Sequence, residues 1–427
     1  MRFFYSLVFY ALVPGLLIRV LWKSQALPVY RARLRERFGF YATAPNSDVV
    51  WFHAVSVGEC EAAFPVIKAL LGRDSGLRVL VTCTTPTGSA RIMDVLGEQV
   101  LHVYLPYDLP GAVRRFLDHF KPRLGVIMET EIWPNLYEAS RVRQCPLVLV
   151  NGRLSDDSTK GYAWLSNLTR ESLAAVHCIA AQTPLDAERY KAIGVSPDRV
   201  QVLGNVKFDI DFDAEMQDQA ARLRRELFQH RPVWIAGSTH PGEEELVLEA
   251  LAHIREAVPN LLLIFAPRHP ERASQVRSLC EGRGLKVINR SEDRPCTPET
   301  AVFLIDGIGE LRAFYGTADV AFIGGSLIPH GGQNVLEAAV AGIPVMFGPY
   351  TMNFREITAR LISAGGGIRV EDKDSLVRAV LGVFENPEKA RLQGGKARAF
   401  VAANRGAVNR VTDLIVDQLR PEAVTQG

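Results

Sequence analysis

The chain has 427 residues, with 49 Lys and Arg against 47 Asp and Glu, and a formal net charge of +2. At roughly 150 residues per domain, this length predicts two or three domains. A hydrophobic content of 48% excludes wholesale disorder, a mean hydropathy of +0.05 excludes a polytopic membrane protein, and the almost balanced charge argues against a general nucleic-acid binder.

The positive charge is concentrated at the amino terminus. Residues 1–37 contain seven basic residues and one acidic residue, so a segment of charge +6 precedes a body of charge −4. No charge lies between Arg2 and Arg19, where the sequence reads FFYSLVFYALVPGLLI. This apolar stretch is short for a spanning helix, which needs roughly 20 apolar residues, and Pro14-Gly15 interrupts it.

Three interpretations of this segment compete. A cleaved signal peptide would need a small-residue cleavage site, but Arg19, Trp22 and Lys23 follow the apolar core instead. A buried amino-terminal helix is the plainest alternative. We favour a membrane anchor over residues 1–22, which either spans the membrane once or lies in its interface. The basic stretch up to Arg37 would then face the cytoplasm and attract anionic lipid headgroups.

Between Asp48 and Thr183, short apolar runs alternate with longer amphipathic ones. Apolar runs predict strands, and amphipathic runs with Gly or Pro at their ends predict helices. Strands are predicted at 48–55, 77–85, 102–106, 123–130, 146–154 and 177–183. Helices are predicted at 59–72, 85–97 and 110–120, the first of them ended by Gly72. Strands that alternate with helices in this way predict a parallel sheet covered on both faces.

The pattern restarts after a polar, charge-rich stretch near residues 209–230. Strands are predicted at 231–239, 260–268, 285–290, 300–306, 318–326 and 343–349, with a helix at 242–258. The fold class is therefore α/β, with two Rossmann-like units. Two such units joined by one linker are expected to bind a ligand between the carboxyl ends of their strands.

The six cysteines predict neither a zinc site nor a disulfide framework. No two of them have CxxC spacing, and no Cys/His cluster has the spacing of a zinc site. A reduced, cytoplasmic catalytic body is the simplest explanation, and we expect no metal.

Two groups of residues in the first half could carry chemistry. Glu59 follows the first strand and begins the next helix, so it is either a helix-start acid that stabilises the first turn or a general base. Glu129 and Glu131 follow another apolar strand, and the alternative there is a pair of solvated loop acids. Lys207 lies at the junction of the two halves, where it could meet an anionic substrate or form a surface salt bridge.

Three groups in the second half suggest a nucleotide site. Arg268, directly after a strand, could bind a phosphate or a carboxylate in bidentate fashion. Asp306-Gly307-Ile308-Gly309-Glu310 contains glycines that free the backbone to approach a base. Both have turn chemistry as an alternative.

The glycine-rich segment 324–339 is the most informative. It runs from a strand end into a helix, whose start is suited to an anion. Asn334 and Glu337 are about one helical turn apart and could point at a nucleoside, whereas His330 could be structural. The segment is not a Walker loop, because the GK[ST] ending is missing.

Together, the stretches HAVSVGE, TTPTGS, YLPYD, METEIWPN, RLS, KFD, PRHPER, GGSL, NxLE and FGPYTMNF resemble the 3-deoxy-D-manno-octulosonic acid (Kdo) transferases of lipopolysaccharide synthesis. The resemblance covers essentially the whole chain, and the order and spacing of the stretches make it specific. It implies a GT-B glycosyltransferase fold. The expected domains are a membrane anchor at 1–22, an acceptor domain at 23–206 and a CMP-Kdo domain at 207–427, whose last helix could cross back.

The resemblance also implies an activity: inverting transfer of Kdo from CMP-Kdo to a lipid A precursor, lipid IVA, at the cytoplasmic face of the inner membrane. It implies no cofactor, no metal and no nucleic-acid partner; the partners would be CMP-Kdo, the lipid A precursor and inner-membrane lipids. Glu59 matches the family's general base, and Glu129 and Lys207 match positions that stabilise the transition state. The residues that match CMP contacts are Pro267, Arg268, Ile308, Gly309, Glu310, Asn334, Val335, Leu336 and Glu337.

This chain departs from the family pattern in one motif. Members often read GGHNPLE, whereas here Gln333 replaces the His and Val335 replaces the Pro, while Asn334 and Glu337 are retained. Two alternatives stay open: a non-hydrolysing sugar-nucleotide epimerase of the same fold, and a membrane-tethered nucleotide-binding regulator without catalysis.

Overall fold

The structure is a computed structural model that describes residues 1–26, 31–43, 48–154, 166–229 and 231–420. Ser155 of the RLS stretch lies outside the described residues. Contacts divide the chain into unit 1, residues 1–209 and 405–427, and unit 2, residues 210–404. The division after Asp209 lies close to the one drawn from the sequence, and the carboxyl-terminal segment belongs to unit 1.

The strands are short and most of them are buried along their whole length, as expected for parallel sheets covered by helices. They are β1 (Val50–His53), β2 (Val79–Cys83), β3 (Leu101–Tyr104), β4 (Leu124–Met128), β5 (Leu147–Gly152), β6 (Val176–Ala181), β7 (Val200–Val202), β8 (Val233–Thr239), β9 (Leu262–Pro267), β10 (Lys286–Asn289), β11 (Thr300–Leu304), β12 (Val320–Ile323), β13 (Val345–Phe347) and β14 (Gly367–Arg369).

The helices connect successive strands, apart from those at the two ends of the chain. They are α1 (Arg2–Ala26), α2 (Val57–Arg73), α3 (Pro86–Leu96), α4 (Pro110–Phe120), α5 (Pro134–Val142), α6 (Ser166–Leu173), α7 (Pro184–Ala192), α8 (Ala214–Leu223), α9 (Glu243–Ala257), α10 (Ala273–Glu281), α11 (Leu311–Tyr315), α12 (Leu336–Ala341), α13 (Arg355–Ser363), α14 (Lys373–Glu385), α15 (Pro387–Ala403) and α16 (Ala407–Leu419).

Unit 1 is built on a seven-stranded sheet of order β3-β2-β1-β4-β5-β6-β7, in which all the pairings are parallel. Its two faces bury separate cores. Side chains from α2, α3 and α16 pack on one face, and side chains from α4, α5 and α7 pack on the other. The strand order reverses between β1 and β4. Ligands of open α/β sheets bind beside the carboxyl ends of strands at such a reversal.

Unit 2 repeats this design with the order β10-β11-β9-β8-β12-β13-β14, again with parallel pairings. The reversal here lies between β8 and β12. The polar stretch near 209–230 is not only a linker, because α8 and a π-helical turn over Arg224–Phe228 occupy much of it. The expectation of two parallel-sheet α/β domains is confirmed.

Local signals set several helix limits. The Thr85 and Thr183 hydroxyls cap α3 and α7, and Pro follows at the first helical position in both. Helix α4 has the limits predicted from its sequence, 110–120. In contrast, α2 continues through Gly72 to Arg73. Its burial against the sheet outweighs the helix-ending tendency of one glycine.

Helix α1 is the one helix in the described part of the chain that is long and apolar enough to cross a membrane, over Arg2–Trp22. It is not isolated from unit 1. The Arg2 guanidinium lies 2.9 Å from Glu138, and the Ser6 hydroxyl donates to Asn135 Oδ1 at 3.0 Å, so its first turns contact α5. The opposite side exposes large apolar side chains, among them Phe3, Phe4, Leu7, Ile18 and Trp22.

Candidate active site

Glu59 lies in the first turn of α2, just past the carboxyl end of β1. Ser56 is the N-cap of this helix, and its hydroxyl accepts from the Glu59 N–H at 3.4 Å while donating to Glu59 Oε1 at 2.8 Å. The Val55 N–H donates to Glu59 Oε2 at 2.8 Å. Both carboxylate oxygens are therefore fixed in direction by local hydrogen bonds, as a general base requires.

The environment of Glu59 also adjusts its proton affinity. The residue is only 9% exposed. Burial raises the pKa of Glu59 above its ordinary value, and the nearby Glu129 charge adds to the increase, while the hydrogen bonds from Val55 and Ser56 oppose it. A carboxylate with a raised pKa is a stronger base than a solvated one. The hydrogen bonds with Ser56 are those of a helix-start acid, and a raised pKa is the property that a general base would need in addition.

Glu129 follows β4, the neighbour of β1 in the sheet. Its backbone has a φ of 55°, in the left-handed region that non-glycine residues seldom adopt. Strained backbone of this kind is concentrated at functional sites. The Glu129 side chain accepts from Lys207 Nζ at 3.1 Å, and the two side chains are only 18% and 24% exposed. The pair is therefore not the surface salt bridge considered as the alternative for Lys207.

A chain of amide side chains holds the backbone of Lys207. Asn205 Oδ1 accepts from the Lys207 N–H at 3.0 Å, and Asn205 Nδ2 donates to Gln182 Oε1 at 2.8 Å. Gln182 Nε2 in turn donates to the carbonyl of Asn151 at 2.9 Å, while Asn151 Oδ1 accepts from the Val206 N–H at 3.1 Å. Asn151 is buried with a φ of 55°. None of these three amides was identified from the sequence as a site residue.

Glu131 is a further acid of this group, and the sequence analysis left it without a role. Burial is the main cause that raises the pKa of Glu131 to about 7. The charge of Glu59 also raises this pKa, the charge of Glu129 adds a smaller increase, and a hydrogen bond with Trp133 lowers it. The charges of Glu59 and Glu129 thus both act on Glu131, and the Glu129 charge also acts on Glu59. The i, i+2 acid pair after a buried strand identified Glu131 as a candidate, but it did not indicate a role for it.

In unit 2, a buried acid organises the loop that follows β12. Glu243, at the start of α9, is fully buried and accepts from the N–H groups of Gly325, Ser326 and Leu327 at 2.7, 3.0 and 2.9 Å. These three N–H groups are therefore used within the protein. The glycine-rich segment is thus held by Glu243, which was not predicted as a site residue.

The residues expected to contact CMP come from three loops of unit 2. Pro267 is buried as the last residue of β9, and Arg268, directly after it, is exposed, while its N–H donates to Thr239 O at 2.9 Å. This contact joins the ends of β8 and β9. The structure therefore presents the Arg268 guanidinium to solvent at the edge where ligands of such sheets bind.

The second loop contains Ile308, Gly309 and Glu310. Ile308 is 82% exposed and Gly309 has a φ of 95°. Glu310 Oε1 accepts from Arg290 at 3.2 Å. A depression of about 370 Å³ borders this loop, lined by Arg290, Ser291, Asp293, Asp306, Gly307 and Glu310. The loop thus offers an apolar side chain and open backbone next to a cavity.

The third segment is organised differently from the expectation. Helix α12 begins only at Leu336 and has six residues, so its amino terminus is a weak anion site. Asn334 Oδ1 accepts from the Leu336 N–H at 3.1 Å, and Asn334 Nδ2 donates to Glu337 Oε1 at 3.1 Å. Val335 and Leu336 are buried and could meet a ligand only through their backbone.

Across the described ranges, no group of three or more His, Cys, Asp or Glu residues is arranged to hold a metal ion. The absence of a metal requirement stays a prediction. The six cysteines are buried as free thiols, and burial raises the pKa of Cys60 to about 12, so this thiol is a poor nucleophile at neutral pH.

Comparisons with known proteins give a consistent result. A family profile described as 3-deoxy-D-manno-octulosonic-acid transferase (kdotransferase) matches residues 32–210. A 3-deoxy-D-manno-octulosonic acid transferase of Haemophilus influenzae is 38% identical over 417 residues, covering 97% of this chain and 98% of the relative. One from Bordetella pertussis is 38% identical over 394 residues, covering 90% of each chain.

A solved structure is similar in fold. UDP-GlcNAc 2-epimerase from Neisseria meningitidis, bound to UDP-GlcNAc, superposes with a TM-score of 0.56 and 14% identity, covering 87% of this chain and 99% of the epimerase. At this identity the likeness concerns the fold alone, and it agrees with the two-domain architecture expected from the sequence.

Proposed function

The chain belongs to the 3-deoxy-D-manno-octulosonic acid (Kdo) transferases, a family of glycosyltransferases, and we propose that it transfers Kdo from CMP-Kdo to a lipid A precursor with inversion at the anomeric carbon. The observation that carries this proposal is the Glu59 carboxylate, buried and hydrogen-bonded through both oxygens at the strand-order reversal of unit 1. The epimerase alternative shares the fold but not the family.

In the proposed reaction, a Glu59 oxygen takes the proton of an acceptor hydroxyl on a glucosamine of the lipid. The hydroxyl oxygen forms a bond to the anomeric carbon of Kdo, on the face opposite to CMP. The bond from this carbon to the phosphate oxygen breaks, and its electron pair leaves with CMP. The raised pKa of Glu59 supports the role of base.

Glu129 and Lys207 are proposed to stabilise the transition state. Lys207 has a positive charge in a partly water-excluded site, and Glu129 fixes its position through the 3.1 Å contact. A preorganised charge of this kind lowers the barrier because it does not have to reorient during the reaction. Charged side chains can therefore balance the charge that develops on the reacting groups, and no metal ion is expected to be required.

The donor is proposed to bind unit 2 through the three loops described above. The CMP contacts would come from Pro267, Arg268, Ile308, Gly309, Glu310, Asn334, Val335, Leu336 and Glu337. Arg268 supplies a guanidinium suited to the phosphate. The Ile308 side chain and the open backbone at Gly309 are suited to the face and edge of a base.

We further propose that α1 attaches the chain to the cytoplasmic face of the inner membrane and lies in the interface. Its contacts with Glu138 and Asn135 hold one side against unit 1. The exposed Phe and Trp side chains of the other side are suited to the headgroup boundary. Of the basic residues that follow α1, the exposed Arg31 and Arg35 would attract anionic headgroups, whereas Arg37 is buried and Arg33 is paired with Glu36.

The test is mass analysis of the product that the purified protein forms from CMP-Kdo and a tetraacylated lipid A precursor. The expected result is a lipid heavier by one or more Kdo residues, which would also give the number of transfers. An unmodified lipid, in a preparation that still binds CMP, would contradict the proposed acceptor.

A further inference from the structure

Three histidines of unit 2 meet at the carboxyl ends of neighbouring strands. His240 follows β8, His269 follows β9, and His330 lies in the loop after β12; these strands are adjacent in the order β9-β8-β12. The ring centroids of His240 and His330 are 3.9 Å apart, and those of His240 and His269 are 6.0 Å apart. The cluster therefore lies at the strand-order reversal where ligands of such sheets bind.

The backbone is shaped to bring His240 into this position. Ser238, two residues earlier, has a φ of 57°, and the pairing of β8 with β9 shifts register between Gly237 and Thr239. Bulges of this kind redirect side chains next to active sites. On the loop side, a Cβ at Gly325 would lie 3.3 Å from the His240 ring, so a glycine leaves the ring its space.

Gln333 fixes the protonation form of His240. Gln333 Nε2 and His240 Nε2 are 3.1 Å apart. An amide nitrogen only donates, so the ring Nε2 accepts and the proton of the neutral imidazole lies on Nδ1. Gln333 stands where family members often have His, and its contact with His240 gives this departure a structural role. In this form, Nδ1 is the ring nitrogen of His240 that can donate a hydrogen bond.

Arginine and histidine side chains surround His240. Burial lowers the pKa of His240 to about 4, and His330, His269, Arg268 and Arg272 contribute to the decrease. The neighbouring acids of α9 are used elsewhere, because Glu243 binds loop N–H groups and Glu244 binds Arg272 at 2.7 and 2.8 Å. Glu271 lies 3.4 Å from the His269 ring. The Arg272 charge is therefore balanced within the protein, and Arg268 supplies the remaining arginine charge near the ring.

Kdo poses a recognition problem that neutral sugars do not. As an octulosonic acid, it has a carboxylate on the anomeric carbon, next to the phosphate of the donor. Resting on the proposed function, we propose that His240 and His330 bind this carboxylate, so that the cluster selects a sugar acid over a neutral sugar. Arg268, directly beyond β9, remains assigned to the nucleotide.

The same donors could instead bind the phosphate, and CMP distinguishes the two, since it has the phosphate but no sugar carboxylate. The experiment measures the dissociation constants of CMP and of freshly prepared CMP-Kdo, without acceptor, for the wild type, His240→Gln and His330→Ala. His330 is exposed, so its variant is expected to fold even if the His240 variant does not. His253→Ala, an exposed histidine on α9, is the matched control.

We expect each cluster variant to bind CMP-Kdo about tenfold or more weakly, because a hydrogen bond to a charged group is lost. The dissociation constant of CMP should change by less than about twofold, which is less than the effect of losing one hydrogen bond. Equal weakening for both ligands would assign the histidines to the phosphate and overturn the proposal, as would no change for either. A wild-type protein that binds CMP but neither binds nor uses CMP-Kdo would instead refute the proposed function.

Discussion

Lys207 Nζ and Glu129 Oε1 lie 3.1 Å apart, although 78 residues separate the two positions in the chain. Glu129 comes from the end of β4 and Lys207 from a turn after β7, and the order of the sheet brings both into unit 1. Their side chains are mostly removed from water. Because the two charges are in direct contact and mostly shielded from water, we expect the two residues to act as one unit.

For this pair, we expect Lys207→Met and Glu129→Gln each to lower kcat by about 10²-fold or more. Removal of one preorganised electrostatic contact to the transition state has an effect of this size in other enzymes. The double variant should be little slower than the worse single variant, because residues in contact are not additive. The measurement is a double-mutant cycle on kcat, with thermal unfolding as the control. Additive losses would show that the two residues act independently.

For Glu59, we expect Glu59→Gln to lower kcat by about 10²- to 10⁴-fold, the range for loss of a general base. Binding of CMP should be unchanged, because the substitution lies in unit 1. Glu61→Gln is the matched control, since Glu61 lies in the same helix, with a 47% exposed side chain paired to Arg91. Wild-type turnover in the Glu59 variant would remove it from the mechanism.

The pH dependence follows from the raised pKa values. A base must be ionised, so kcat/KM should fall as the pH drops through the raised pKa of Glu59. The charge of the nearby Glu129 is one of the causes that raise the pKa of Glu59. Glu129→Gln removes this charge, so the pKa of Glu59 should fall and the acid limb should move to lower pH.

The control for this shift is Glu129→Asp, which retains the negative charge and should move the acid limb less than the amide does. The measurement is the profile of kcat/KM for the lipid acceptor against pH, at saturating CMP-Kdo. An acid limb at the same pH in the wild type and in Glu129→Gln would mean that the Glu129 charge does not influence the catalytic base.

The membrane interpretation predicts a selective effect on the exposed side of α1. Phe4 is 70% exposed, so Phe4→Asp should leave the fold intact. It should weaken binding to anionic vesicles by about tenfold or more, since burying a Phe contributes about 1.5–3 kcal/mol. Leu392→Asp, at a 59% exposed position in unit 2, is the control. Equal sedimentation of both variants with vesicles would argue against α1 as the anchor.

The orientation of α1 can be tested separately. If α1 lies in the interface, a tag at the amino terminus should be cleaved by protease added to inverted inner-membrane vesicles, whose cytoplasmic face is outside. Protection of the tag in these vesicles, with cleavage in spheroplasts, would show that α1 spans the membrane.

The periodic part of the fold follows from the pattern of apolar residues along the chain. Apolar runs predicted β1, β2, β4, β8, β9 and β12 close to their observed limits, because strands buried on both faces must be apolar throughout. Helix α4 was predicted with its limits intact, since Pro110 marks its start. Helices α5 to α8 were not predicted, because short polar helices have weak periodicity and depend on packing for their stability.

The contacts between the site residues, in contrast, arise from the way the chain folds. The VGE motif indicated Glu59, and its hydrogen bonds with Val55 and Ser56 are local, but its proximity to Glu129 and Glu131 depends on the pairing of β1 with β4. The Glu129–Lys207 pair and the amides behind it join loops that are distant in the chain. The contacts of His240 with Gln333 and His330 likewise join loops that are distant in the chain. Local sequence fixes backbone propensity and motif chemistry, whereas proximity between distant loops is set by strand order, which no single segment encodes.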